Sequence, residues 1–157
     1  MTDELKQAYT LRISQANKSE MVVIIYEMLF QYIDEARTAL KDRKIDEFHE
    51  GIRKSVACIR ELSASINYDL AVSQDLLSLY VYCIKELSKA DIHMSGEELY
   101  HVELVMNKLC NAQKEVAGRD TSPAVMGNTQ AVYAGLTYGK ESLMVSINSD
   151  ANRSYPV

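Results

Sequence analysis

Glu98 and His101 stand three residues apart, and so do Asp46 and His49. On a helix such a pair shares one face, so each could offer a carboxylate and an imidazole to a metal ion. Di-iron bundles use two Glu-x-x-His motifs plus an inward Glu from each of two further helices. Here one motif carries Asp instead, and neither the first nor the third helical stretch places a Glu on its core stripe; Glu27 comes nearest. Both pairs therefore read as solvated helix flank, because a carboxylate and a His at this spacing recur by chance. A metal-binding four-helix bundle stays as the remote alternative. No phosphate loop, dinucleotide fingerprint, nucleophile elbow or His-Glu-x-x-His motif occurs. No Cys–His pair is close in sequence, and His93 falls at a helix end, where it suits the dipole. We expect no catalytic residue, no metal site and no cofactor.

The elements around these residues are helical. Asn17 and Glu20 form a capping box for a first long helix over 18–42, with Val22, Ile25, Leu29, Ile33, Ala36 and Leu40 at helical spacing. A second helix spans about 46–67, striped by Phe48, Ile52, Val56, Ile59 and Leu62, with Gly51 marking a close helix contact. A third runs over about 73–91 with Ser73 as its cap. A fourth opens on a second capping box, Ser95 and Glu98, and ends near Ala117 with Gly118 as C-cap glycine. Links between them are short, which forces antiparallel neighbours. The expected fold is all-α: an antiparallel up-down four-helix bundle with a short N-terminal cap segment and a C-terminal extension.

The breakers divide the chain. Of 6 glycines only Gly51 and Gly96 precede residue 118, and both prolines, Pro123 and Pro156, come after it. We therefore expect a bundle domain over 1–117, its cap over 1–16, and an extension over 118–157. Charge follows the same division. The extension is neutral, so the whole net charge of −5 belongs to the first 117 residues. An acidic body without a basic stripe argues against nucleic acid and anionic membranes. The opening Met1-Thr2-Asp3-Glu4 does not read as a secretory signal. The longest apolar stretch, Met21 to Ile33, spans about 20 Å as a helix, against the roughly 30 Å of a bilayer core. Cys58, Cys83 and Cys110 are odd in number and scattered among apolar residues, so they read as free thiols filling a core in a reducing compartment.

Two helices are apolar on too many sides. Tyr26 and Phe30 in the first, and Leu77, Val81 and Ile84 in the third, lie off their main stripes. Either these helices are the most buried, or they form a groove for another chain's helix. Tyr26, Tyr32, Tyr80, Tyr82 and Tyr100 suit the second reading, since tyrosine offers a large apolar body with a polar tip.

The order Gln7-Ala8-Tyr9, Ile13, Ala16, then Met21 through Ile25-Tyr26-Glu27 resembles the opening of the FliS family, the cytoplasmic flagellin export chaperones. Lys54 with Ile59-Arg60-Glu61-Leu62 is similar to its second-helix pattern, and Leu79-Tyr80-Val81-Tyr82 to its Leu-Tyr-Asp-Tyr signature. Leu87 to Asp91 stands at the family's usual distance from that signature, and Val102 and Leu109 resemble its fourth helix. The likeness covers about residues 5–117; Val81 replaces an Asp, Gln113 a Trp, and Asn17-Lys18 a Ser-Pro. The resemblance implies a bundle that binds the disordered C-terminal segment of flagellin, prevents its premature polymerisation in the cytosol and delivers it to the flagellar export machinery. It also implies that the segment around Tyr9 and Ile13 covers an apolar surface when flagellin is absent.

Ordering twenty residues of a disordered client costs roughly 20–40 kcal/mol in backbone entropy. A single pocket cannot offset that, so the client must wrap the bundle and fill several grooves. We place it against Tyr26, Phe30, Leu77, Tyr80, Val81 and Ile84, with Tyr9 and Ile13 as a displaceable cap. In the extension, Val132 to Gly139 sets apolar anchors between glycines, and Ser142 to Ile147 suits a short helix or strand. It reads as either a loose tail or a second cover over the groove. The expected assembly is a monomer or weak dimer. The main rival is a helical interaction or oligomerisation module without a chaperone role.

Overall fold

The structure, a computed structural model, describes residues 1–127. The candidate lid segments, Val132 to Gly139 and Ser142 to Ile147, lie outside the described residues. Five helices and no strand make up the described chain: α1 (Asp3–Gln15), α2 (Lys18–Lys41), α3 (Ile45–Ala64), α4 (Ser73–His93) and α5 (Glu97–Arg119). The fold is all-α. Helices α2 to α5 are the four long helices read from the sequence. The cap segment is itself a full helix, capped by the Thr2 hydroxyl accepting from the Leu5 N–H.

The helices pack in a closed cycle: α2 on α3, α3 on α4, α4 on α5 and α5 on α2, while α1 packs only on α2 among the described helices. Leu29, Ile33, Phe48, Ile59, Leu62, Leu87, Leu99, Val102 and Met106 are fully buried at the centre. All three cysteines are free and buried among them. Burial pushes the Cys58 thiol up to about 11 and the Cys83 thiol up to about 12. The tightest approach is between α2 and α3. A Cβ added at Gly51 would stand 2.8 Å from the Ala36 Cβ, so glycine is what lets these backbones meet.

The Asn17 capping box is present in both directions: Asn17 Oδ1 accepts from the Glu20 N–H, and Glu20 Oε2 accepts from the Asn17 N–H, each at 2.9 Å. Other boundaries differ from the sequence reading. Ser73 is buried inside the first turn of α4 and donates its hydroxyl to the Asn67 carbonyl, so it closes the preceding loop instead of capping the helix. Ser95 Oγ accepts from the Glu97 N–H, one residue earlier than a capping box requires, and α5 begins at Glu97. Gly118 lies within the last turn of α5, which runs on to Arg119. Helix α3 stops at Ala64, before Asn67.

Two links are only three residues long, and neither uses glycine in its left-handed position. Arg43 (φ 58°) ends α2 while the Lys44 N–H bonds the Ala39 carbonyl. Met94 (φ 54°) ends α4 while the Ser95 N–H bonds the Ala90 carbonyl. Both are Schellman-type closures, which return orphan helix carbonyls to a partner. No helix of the described residues is long and apolar enough to cross a membrane.

Candidate functional site

The first turns of α2 and α4 and the last turns of α3 and α5 surround a cleft of about 300 Å³. Val22, Leu62, Ile66, Leu76 and Leu109 line it, with Tyr26 and Tyr80 at its floor. The two phenol oxygens are 2.6 Å apart, and both residues are 2% exposed. Burial first, then the shared hydrogen bond, pushes the Tyr26 hydroxyl far above its ordinary range. Burial also raises Tyr80. Each hydroxyl thus stays protonated and satisfies the other, as buried polar atoms require. The pair presents no face to solvent; it ties α2 to α4 across the core.

The other four groove candidates separate onto two flanks. Leu77, Val81 and Ile84 follow one line along α4, at i, i+4 and i+7. Ser88 and Asp91 continue that line and, with Ile92, face α3 across a cleft of about 480 Å³. Ile52, Val56 and Ala57, with the charged Arg53, Arg60 and Glu61, form its α3 wall, and His49 Nδ1 bonds Asp91 Oδ1 at 2.6 Å along its edge. Val81 is 43% exposed, Ile92 is 77% exposed, and Leu77 and Ile84 are partly buried. Phe30 is partly buried on a different side of the molecule. It stands two turns before Arg37, which pairs with Glu103 and so marks the α2 face toward α5.

Helix α1 lies along α2 through a half-buried line of Met1, Leu5, Tyr9 and Ile13. Arg12 Nη1 donates to Glu27 Oε2 at 2.5 Å, and its guanidinium sits 5.8 Å over the Tyr9 ring. The Met1 ammonium pairs with Glu35. Burial, then the Glu27 carboxylate, raises the Tyr9 hydroxyl above its ordinary value. Tyr9 and Ile13, the two cap residues, are thus both seated on the α2 surface.

The motif histidines have partners of another kind. His101 Nδ1 meets Glu86 Oε2 at 3.0 Å, and His93 Nδ1 meets Glu98 Oε1 at 3.3 Å. Glu98 and His101 therefore contact different residues of α4, and Asp46 is not the partner of His49. Among the described residues no group of three or more His, Cys, Asp or Glu side chains is placed to hold a metal ion.

The family profile described as flagellar protein FliS matches residues 1–120. The chain belongs to the FliS family. No curated protein matches it. The FliS match takes in α1 to α5 whole and stops at Asp120, where α5 ends. Every candidate contact residue, Tyr9 to Ile84, lies inside it.

Sequence reading misses two apolar features of this FliS chain. Ile52 and Val56 belong to the core stripe of their helix, yet they also wall the α3–α4 cleft. The link over residues 65–72 exposes Tyr68, Leu70 and Val72 beside the cleft above the tyrosine pair. The alternation of Tyr68, Leu70 and Val72 in a short connection, where polar residues are the rule, is the signal that points to them.

Proposed function

We propose that the protein is a cytoplasmic flagellar export chaperone that binds the disordered C-terminal segment of flagellin. In this reading α2 to α5 form an antiparallel four-helix bundle and α1 is its displaceable cap. The bundle keeps the client from polymerising in the cytosol and passes it to the export machinery. Membership of the FliS family supports the flagellar chaperone role. The observation that carries the client site is the half-exposed Val81 on α4, flanked along one line by the partly buried Leu77 and Ile84.

The client interface then has three parts. Leu77, Val81 and Ile84 receive one apolar helix face on α4, along the line that leads to Ser88 and Asp91 of the α3–α4 cleft. Phe30, with Tyr9 and Ile13 lifted away, belongs to a second stretch along α2. Tyr26 and Tyr80 do not touch the client; they hold α2 and α4 at the spacing that shapes both stretches. An extended interface of this kind suits a client whose ordering entropy must be offset over many residues.

Calorimetry with the C-terminal part of flagellin from the same source tests the proposal. Val81→Asp places a charge at a half-exposed position that the fold tolerates, and it is expected to weaken binding at least about tenfold, or 1.4 kcal/mol. Full affinity in the folded Val81→Asp protein would remove the Leu77–Val81–Ile84 line of α4 from the site. No binding by the unaltered chain would leave a helical interaction module as the better description.

A further inference from the structure

The chain does not leave the bundle when α5 ends. Residues 120–125 turn back across the joint between α1 and α2, more than a hundred positions earlier in sequence. The Val125 N–H donates to the Ala16 carbonyl at 3.0 Å. Ser19 Oγ donates to Asp120 Oδ2 at 2.5 Å. The Asn17 amide donates to the Asp120 carbonyl at 3.3 Å and the Ser122 carbonyl at 3.4 Å. Gln113 Nε2 reaches the Ser19 carbonyl at 3.3 Å from α5 itself. The turn is preformed, since the Ser122 N–H bonds Asp120 Oδ1 at 2.9 Å.

These bonds satisfy polar groups that the joint cannot satisfy alone. Ala16 and Asn17 are both buried. The Asn17 oxygen is committed to the Glu20 N–H, which leaves its NH₂ donors for residues 120 and 122. Removing the crossing segment takes away the partners of the Asn17 amide and the Ala16 carbonyl. Helix α1 depends on that joint. It has 13 residues, a length at which an isolated helix is marginal in water, and it packs on α2 alone among the described helices.

We propose that Asp120–Val125 is a latch that holds the α1–α2 joint closed and so controls the release of α1. The FliS match ends at residue 120, so most of the latch lies beyond it. Whatever draws the chain after α5 away from the joint loosens α1 without touching the α3–α4 cleft. The inference stands whether or not flagellin is the client.

Hydrogen exchange on the full-length protein tests it, with no client present. Val125→Pro removes the one N–H that reaches Ala16, and Ser19→Ala removes the hydroxyl bonded to Asp120. Losing one net hydrogen bond changes a local opening equilibrium about 3- to 10-fold, so α1 amides should exchange faster by that factor in each variant. Amides of α3 should be unchanged. Val125→Ala keeps the N–H and should exchange like the unaltered protein. Unchanged α1 exchange in both variants overturns the latch. So does equal acceleration in all five helices, or an effect of Val125→Ala as large as that of Val125→Pro.

Discussion

Tyr26 on α2 and Tyr80 on α4 share one hydrogen bond of 2.6 Å inside an otherwise apolar core. Each is the other's only polar partner among the described residues. The pair should therefore behave as a unit. Tyr26→Phe or Tyr80→Phe alone leaves one buried hydroxyl unsatisfied, at a cost of about 1–3 kcal/mol. The double Phe variant should cost clearly less than the two singles together. Urea unfolding of the four proteins gives the coupling energy, and strict additivity would mean that the hydroxyls do not depend on each other.

Gly51 makes a prediction of the opposite sign from helix propensity. An alanine there should gain up to about 1 kcal/mol as a helix former. It also brings a methyl carbon to 2.8 Å from the Ala36 Cβ, on a helix wall with nowhere to yield. We expect Gly51→Ala to destabilise by about 1–3 kcal/mol, the range for overpacking. Adding Ala36→Gly to Gly51→Ala should recover part of the loss in a thermal melt.

Acid should loosen the protein through two partly buried carboxylates. Glu98 is held down to about 2 from 4.5, first by the Ser95 hydroxyl and then by backbone and His93 contacts. Asp120 is held down to about 2 from 3.8, first by Ser122 and then by Ser19. Both folded values lie below the unfolded ones, so the unfolded chain binds more protons in that window. Their stabilisation is complete above about pH 4.5 and is lost as pH falls toward 2. Urea midpoints measured across that range should fall, and Glu98→Gln with Asp120→Asn should flatten the slope.

The three thiols should be silent in the folded state. Cys58 and Cys83 are buried and pushed up to about 11 and about 12, and burial also raises Cys110. The thiolate is the reactive form. At pH 8 an alkylating reagent should label none of them within the time that it labels all three in denaturant. Rapid labelling of one thiol in the native protein would point to an opening that exposes its helix.

What the sequence made legible was local. The Asn17–Glu20 box, the Gly51 contact and the stripes of the first two long helices follow from residue types at fixed offsets, and each is found where the spacing predicts it. The misses have one physical origin: they depend on which neighbour covers a flank. Tyr26 and Val81 are both off-stripe apolar residues on their own helices, yet α4 buries the first and no described helix covers the second. Helix α1 has a stripe of Met1, Leu5, Tyr9 and Ile13 too thin to declare itself beside Lys6, Gln7 and Arg12. Arg43 and Met94 adopt the left-handed turn that a reader expects of glycine, so those ends carried no warning. The latch joins residues about a hundred apart and leaves no periodic trace at all.

The three-residue links at Arg43 and Met94 have a mechanical consequence. Near them a Cβ added at Gly96 would stand 3.8 Å from the Leu40 side chain, so the two tight turns close the same end of the molecule. The eight-residue link over 65–72, the α1–α2 joint and the exit from α5 gather at the cleft end. The protein thus has a stiff pole and a compliant pole. Residues inserted among 65–72 lengthen a longer connection, at about 0.6 kcal/mol for each doubling. The same insertion among 42–44 must unmake a helix terminus. A probe, a fusion partner or an evolutionary graft therefore has one natural point of entry, and it is the pole where α1 hands over to α2 and α5 ends.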